Sequence, residues 1–141
     1  MGLFDFISDV GNKIFGSEDE APEKIKEHLE SDNPGVKGLK VEVKDGVATL
    51  TGKAESPSAF EKAVLMAGNL FGIKEVKADG LSGGTTNDTE YYEIKKGDTL
   101  WAIAEKHYGN GTEYKRIFAE NREVIKDPDL IFPGQKIRIP K

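Results

Sequence analysis

Residues 91–141 read YYEIKKGDTLWAIAEKHYGNGTEYKRIFAENREVIKDPDLIFPGQKIRIPK, and two periodicities alternate along them. Tyr92 and Ile94 predict a short strand. Asp98 or Thr99 stands where a helix N-cap is needed, ahead of a face built from Leu100, Ile103 and Ala104. Tyr114, Ile117 and Phe118 mark a second helix. Ile131, the Pro133-Gly134-Gln135 turn and Ile137-Arg138-Ile139-Pro140 then give a return strand. The stretch is a βααβ unit with its own small core.

Upstream lies the clearest seam in the chain, DGLSGGTTNDTE at residues 79–90, which reads as a flexible linker. A weaker break, GSEDEAP at 16–22, precedes a helix that starts near Pro22 and puts Ile25 and Leu29 on one face. LKVEVKDGVATLTG is a hairpin: Leu39, Val41 and Val43 alternate with Lys40, Glu42 and Lys44, and Asp45-Gly46 supplies a two-residue turn. SPSAFEKAVLMAGNLFG predicts a helix with Ser58 and Glu61 as a capping box, a face of Phe60, Val64, Ala67 and Phe71, and a stop at Gly72. IKEVKA predicts a third strand. The expected fold is α+β in two small domains: residues 16–80 and 91–141, joined by a linker at 81–90 and preceded by an amphipathic segment, 1–15, that docks on the first domain.

That segment, MGLFDFISDVGNKIFG, places Leu3, Phe6, Ile7, Val10 and Ile14 at helical spacing, so a short helix with one apolar face is expected. Asp5 and Asp9 interrupt what a secretory signal would need, and Phe6 stands where a lipid-acceptor motif requires Ser or Thr. The chain has no cysteine and no apolar run near the ~20 residues of a membrane span. A cytoplasmic setting is the expectation. The net charge is −5, and residues 1–80 carry all of it, with 10 Lys/Arg against 15 Asp/Glu. Neither half offers the basic face that phosphate neutralisation requires, which argues against nucleic acid as the main partner.

Catalysis finds no support either. There is no cysteine nucleophile, nucleophile elbow, phosphate loop or zinc-binding histidine pair. His28 and His107 fall in different domains and read as helix-surface residues. The carboxylates alternate with lysines along solvated faces, and Glu18-Asp19-Glu20 lacks the spaced ligands of a calcium loop.

Helix, hairpin, helix, strand, with GVATLTG and GNLFGIKEV in place, resembles the BON domain over about residues 22–80. GDTLWAIA, YG, AEN and PGQKIRIP resemble the LysM domain over nearly all of 91–141. With the MGLFDF start, the whole chain resembles a family of cytoplasmic bacterial potassium-binding proteins. The resemblance implies selective K⁺ binding with a conformational response.

Given that implication, backbone carbonyls are the expected ligands, because K⁺ is large and monovalent and clustered carboxylates favour divalent ions. Free carbonyls occur at helix C-termini, at the negative end of the helix dipole. If helices stop at Gly11 and Gly72, the oxygens of Ile7, Val10, Gly68 and Leu70 are the expected K⁺ ligands, with Asn12 and Ile73 as weaker additions. The competing reading is that both glycines merely cap helices.

Three alternatives stand beside potassium. The LysM resemblance implies binding of N-acetylglucosamine polymers in a groove between Gly97, Asp98, Thr99 and Leu100 on one side and Asp127, Pro128, Asp129, Leu130 and Ile131 on the other. Trp101 suits a sugar platform, but burial in the small core competes for it. Membrane-surface attachment through the first helix is disfavoured, because Lys13 is its only basic residue. A protein-docking scaffold leaves no distinctive mark.

Overall fold

The computed structural model describes residues 3–84 and 89–140. The first domain comprises α1 (Ala21–Ser31), β1 (Val36–Lys44), β2 (Val47–Ala54), α2 (Pro57–Gly68) and β3 (Glu75–Ser82). β1 and β2 are antiparallel through the Asp45-Gly46 turn, where both residues hold the positive φ (52° and 78°) that a two-residue hairpin demands. β2 and β3 are parallel, so α2 is the crossover between neighbouring strands. Ile25 and Leu29 of α1, Val64 and Leu65 of α2, and Leu50 and Val76 of the sheet meet in one apolar core.

The second domain comprises β4 (Thr89–Glu93), α3 (Leu100–Tyr108), a 3₁₀ turn (Gly111–Glu113), α4 (Tyr114–Glu120) and β5 (Lys136–Pro140). β4 and β5 pair antiparallel. Thr99 is the residue that caps α3, its hydroxyl accepting from Ala102 N–H at 3.0 Å. Asp98 instead braces the loop before it, accepting from the Tyr92 hydroxyl at 2.6 Å and from Lys95 N–H at 2.8 Å. Burial, and then the bond to Asp98, push the Tyr92 phenol up to about 12.

Four expectations need correction. Residues 3–15 form no helix; they run as a strap whose residues 4–6 lie on the outer edge of β3 at its start. Phe4 C=O accepts from Val76 N–H and Phe6 N–H donates to Lys74 C=O, each at 2.9 Å, around an Asp5–Glu75 bridge. A short isolated helix is marginal in water, whereas an open strand edge offers ready backbone partners. The apolar side chains are still used: Leu3 is buried in the first core, and Phe6, Ile14 and Phe15 pack against it. The amphipathic helix that membrane attachment requires is therefore not formed.

The N-cap of α2 is Ser56, not Ser58; its side chain accepts from Ala59 N–H at 3.1 Å, with Pro57 opening the helix. Glu61 is thereby released from any capping box. α2 also ends at Gly68 with Asn69 as its C-cap, and Gly72 (φ 100°) belongs to the turn beyond. The linker is shorter than its composition suggests, since residues 79–82 continue β3 and Thr89 already belongs to β4. Of its remaining positions 83–88, residues 85–88 lie outside the described residues. Among those described, no helix is long and apolar enough to cross a membrane.

Candidate functional site

The strap and the turn after α2 are stitched together. Gly72 N–H donates to Ser8 C=O at 2.6 Å, and Phe71 N–H donates to Asn12 C=O at 3.1 Å. Between these bonds, Gly11 (φ 98°) lies so close to the Asn69 carbonyl that a Cβ there would fall 2.0 Å from its oxygen. Phe6 covers the end of α2, its ring occupying the space a side chain at Gly68 would need. Residues 7–12 and 68–73, which carry all six predicted oxygens, are thus brought together.

The six are not equivalent. Asn12 C=O is engaged by Phe71, and Leu70 C=O accepts from Ile73 N–H at 3.2 Å. Among the described residues, the carbonyls of Ile7 and Val10 accept no hydrogen bond. Gly68 and Ile73 are buried, Ile7 and Val10 half-buried. Side-chain ligands are a different matter, for among the described residues no three His, Asp or Glu cluster as a metal site. Next to the junction opens a cleft of about 670 Å³ between the domains, lined by Asp9, Val10, Gly11, Asn12, Phe71, Phe132 and Pro133. Phe132 and Pro133 come from the second domain and carried no local signal of proximity to the strap.

A second cleft, of about 460 Å³, lies within the second domain. Asp98, Thr99, Leu100, Pro128, Asp129 and Ile131 line it as the groove reading expected, whereas Gly97, Asp127 and Leu130 do not. The lining includes two aromatic residues outside the expected groove. Trp101 is 50% exposed rather than buried in the core, and it stands 6.0 Å from the Tyr114 ring, which also lines the cleft. Gly111 makes room for the indole, since a Cβ there would fall 2.2 Å from it.

Comparison with known proteins matches the BON domain family to residues 17–82 and the LysM domain family to residues 92–140. The potassium binding protein Kbp of Escherichia coli O6:H1 (strain CFT073) is 36% identical over 148 residues, spanning 100% of this chain and 99% of its own length. The chain belongs to the Kbp family. Shorter similarities reach an uncharacterized protein of Deinococcus radiodurans (49% over 69 residues, 49% of this chain and 25% of that protein). The uncharacterized protein YqbP of Bacillus subtilis (strain 168) is 36% identical over 78 residues, 49% of this chain and 36% of its own.

In this member of the Kbp family the BON and LysM domains meet along α2 and β5. Arg138, 4% exposed, donates from Nε to Glu61 at 3.0 Å and from Nη1 to the Glu120 carboxylate at 2.9 Å. Glu61, on α2, is fully buried. Burial first, and then the Glu61 charge, raise the pKa of the neighbouring Tyr91 phenol. Toward the rim, Lys62 pairs with Glu123 at 2.8 Å and Lys126 pairs with Asp32. His28 is not a free surface residue: burial, then the charge of Lys126, lower its pKa against the pull of Asp32. His107 is also largely covered, its ring edge-on to Tyr92 at 5.6 Å.

The LysM strand β5 has one edge on β4, and its other edge is completed by two asparagines. Asn121, from its own domain, accepts from Arg138 N–H at 2.9 Å and donates to Arg138 C=O at 2.8 Å. Asn69, from the BON domain, does the same two residues earlier, accepting from Lys136 N–H at 2.8 Å and donating to Lys136 C=O at 2.7 Å. The residue that ends α2 therefore also registers the two domains.

Proposed function

We propose that the chain is a cytoplasmic, non-enzymatic potassium-binding protein that holds K⁺ through backbone carbonyls where the strap meets the end of α2, and closes on binding. The observation that carries the reading is the junction itself, in which Gly11 abuts Asn69 while the Ile7 and Val10 oxygens stand without hydrogen-bond donors among the described residues. Neutral carbonyls suit an ion whose water shell must be replaced at low cost, and the negative end of the α2 dipole adds to their potential. The full-length relative named a potassium binding protein points the same way. An ion bridging strap and turn shifts population toward the form in which both are held together.

A calorimetric melt in KCl against NaCl at matched ionic strength tests this. At ~100 times its Kd an ion adds about 2.7 kcal/mol to the state that binds it, a shift of several degrees in a chain this small. A selective rise in KCl is expected; identical traces would overturn the reading.

Trp101 favours a second activity in the other domain. A half-exposed indole at the wall of a cleft that also holds Asp98, Thr99 and Asp129 suits the apolar face of an N-acetylated sugar. The full chain should be retained on insoluble peptidoglycan at low salt, and Trp101→Ala should abolish retention. Passage of the unmodified chain would dismiss the glycan reading.

A further inference from the structure

Among the described residues, Lys136 is the one lysine that is buried, 1% exposed, and its surroundings explain why a charge is kept there. Its ammonium donates to the Asp5 carbonyl and lies 4.7 Å from the centre of the Phe6 ring. A buried ammonium is costly unless it is hydrogen-bonded, and a carbonyl with an aromatic face is a fitting receptor for a cation. Burial pulls its pKa down, while the charges of Asp5 and Glu93 oppose that pull. Both of these contacts are to the strap. The backbone N–H and C=O of the same residue are both held by the side chain of Asn69, at the start of the turn. One residue of the second domain therefore touches both halves of the junction in the first.

We infer that Lys136 is the positioning residue by which the second domain closes the cation site, its ammonium holding the strap and its backbone N–H and C=O holding the turn. The inference rests on the cation reading of that junction. Phe6 transmits the contact, because its ring meets both the ammonium and the space above Gly68. Parting the domains would release Asp5 and Phe6 on one side and Asn69 on the other, leaving the strap and turn joined by their own two backbone bonds. Ion affinity and domain docking are thus linked, and linkage is reciprocal: docking strengthens K⁺ binding by the same factor by which K⁺ strengthens docking.

The test uses the full chain. Because it lacks cysteine, Lys53→Cys and Lys115→Cys, at exposed positions on the two domains, accept a dye pair that reports their separation. Lys136→Met keeps the apolar stem and removes the cation. K⁺ titrations of the two forms should show a Kd about 10-fold weaker in Lys136→Met, equivalent to ~1.4 kcal/mol, with the K⁺-driven change in energy transfer displaced to the same concentrations. Asn69→Ala cuts the other grip and should weaken binding in the same direction, which keeps the test alive if the methionine variant does not fold. A purely structural lysine would lower the melting temperature in NaCl and leave the K⁺ Kd unchanged. A folded variant with an unchanged or tighter Kd therefore overturns the coupling while the cation site stands. A parent chain without any K⁺ response would remove both.

Discussion

Replacing Glu61 with alanine is expected to destabilise the folded chain by about 3 kcal/mol, a drop of roughly 10 °C in the melting temperature. Glu61 is fully buried on α2 and accepts from Arg138 Nε at 3.0 Å. Its loss strands a guanidinium that is only 4% exposed. Breaking one side of a buried pair typically costs ~3–5 kcal/mol, because the remaining charge stays in low dielectric. The lower end applies, since Arg138 keeps the Glu120 carboxylate at 2.9 Å and the Glu120 carbonyl at 3.0 Å. The Lys126–Asp32 pair at the rim contributes much less. Lys126 and Asp32 are about half exposed, and pairs of that kind are worth ~0–1 kcal/mol. Replacing both partners, as Glu61→Leu with Arg138→Met, should recover most of the loss, because apolar side chains of similar volume remove the stranded charge. Denaturant unfolding measures both variants. A loss below ~1 kcal/mol for Glu61→Ala would mean that the buried pair does not hold the domains together.

The same pair shows where sequence reading stops. Glu61 three residues after Ser58 satisfies a capping pattern, and local spacing cannot reveal that Ser56 already caps the helix or that the carboxylate faces Arg138 in a distant strand. The hairpin was legible because alternation and the Asp45-Gly46 turn are local signals, and the βααβ unit was legible for the same reason. The strap was legible only in part. Its apolar residues do seek the first core, but the partner that decides between helix and extended chain is the edge of β3, some seventy residues away in sequence. Trp101 sits in helical phase beside the buried Leu100, and its place at the cleft wall depends on Gly111 and Tyr114 in the turn and helix beyond. The carbonyl positions were approached through helix ends, yet α2 stops at Gly68 and residues 7–12 are not helical. Both segments still meet, through the backbone bonds at Ser8 and Asn12 rather than through packed helix ends.

Gly11→Ala should abolish the K⁺ response, weakening binding by more than about 30-fold, while Ile7→Ala leaves the Kd within about 3-fold of the parent chain. At Gly11 the backbone holds φ 98°, and a Cβ would fall 2.0 Å from the Asn69 carbonyl oxygen. The left-handed region costs an L-residue ~1–2 kcal/mol, and the clash adds to this because the obstructing atom is backbone that cannot rotate away. The strap must retreat, and the bonds from Phe71 N–H to Asn12 and from Gly72 N–H to Ser8 lengthen with it. In the proposed site, carbonyls on the two segments can then no longer face one ion. The second domain does not share this strain, so its own packing should survive, and circular dichroism will show whether the chain remains folded. Ile7→Ala is the necessary contrast. It removes a half-buried side chain but keeps the carbonyl, so a site made of peptide oxygens should hardly register it. The reverse pattern, with binding lost on truncating Ile7 and kept with alanine at position 11, would show that the ion is not held by the backbone of this junction.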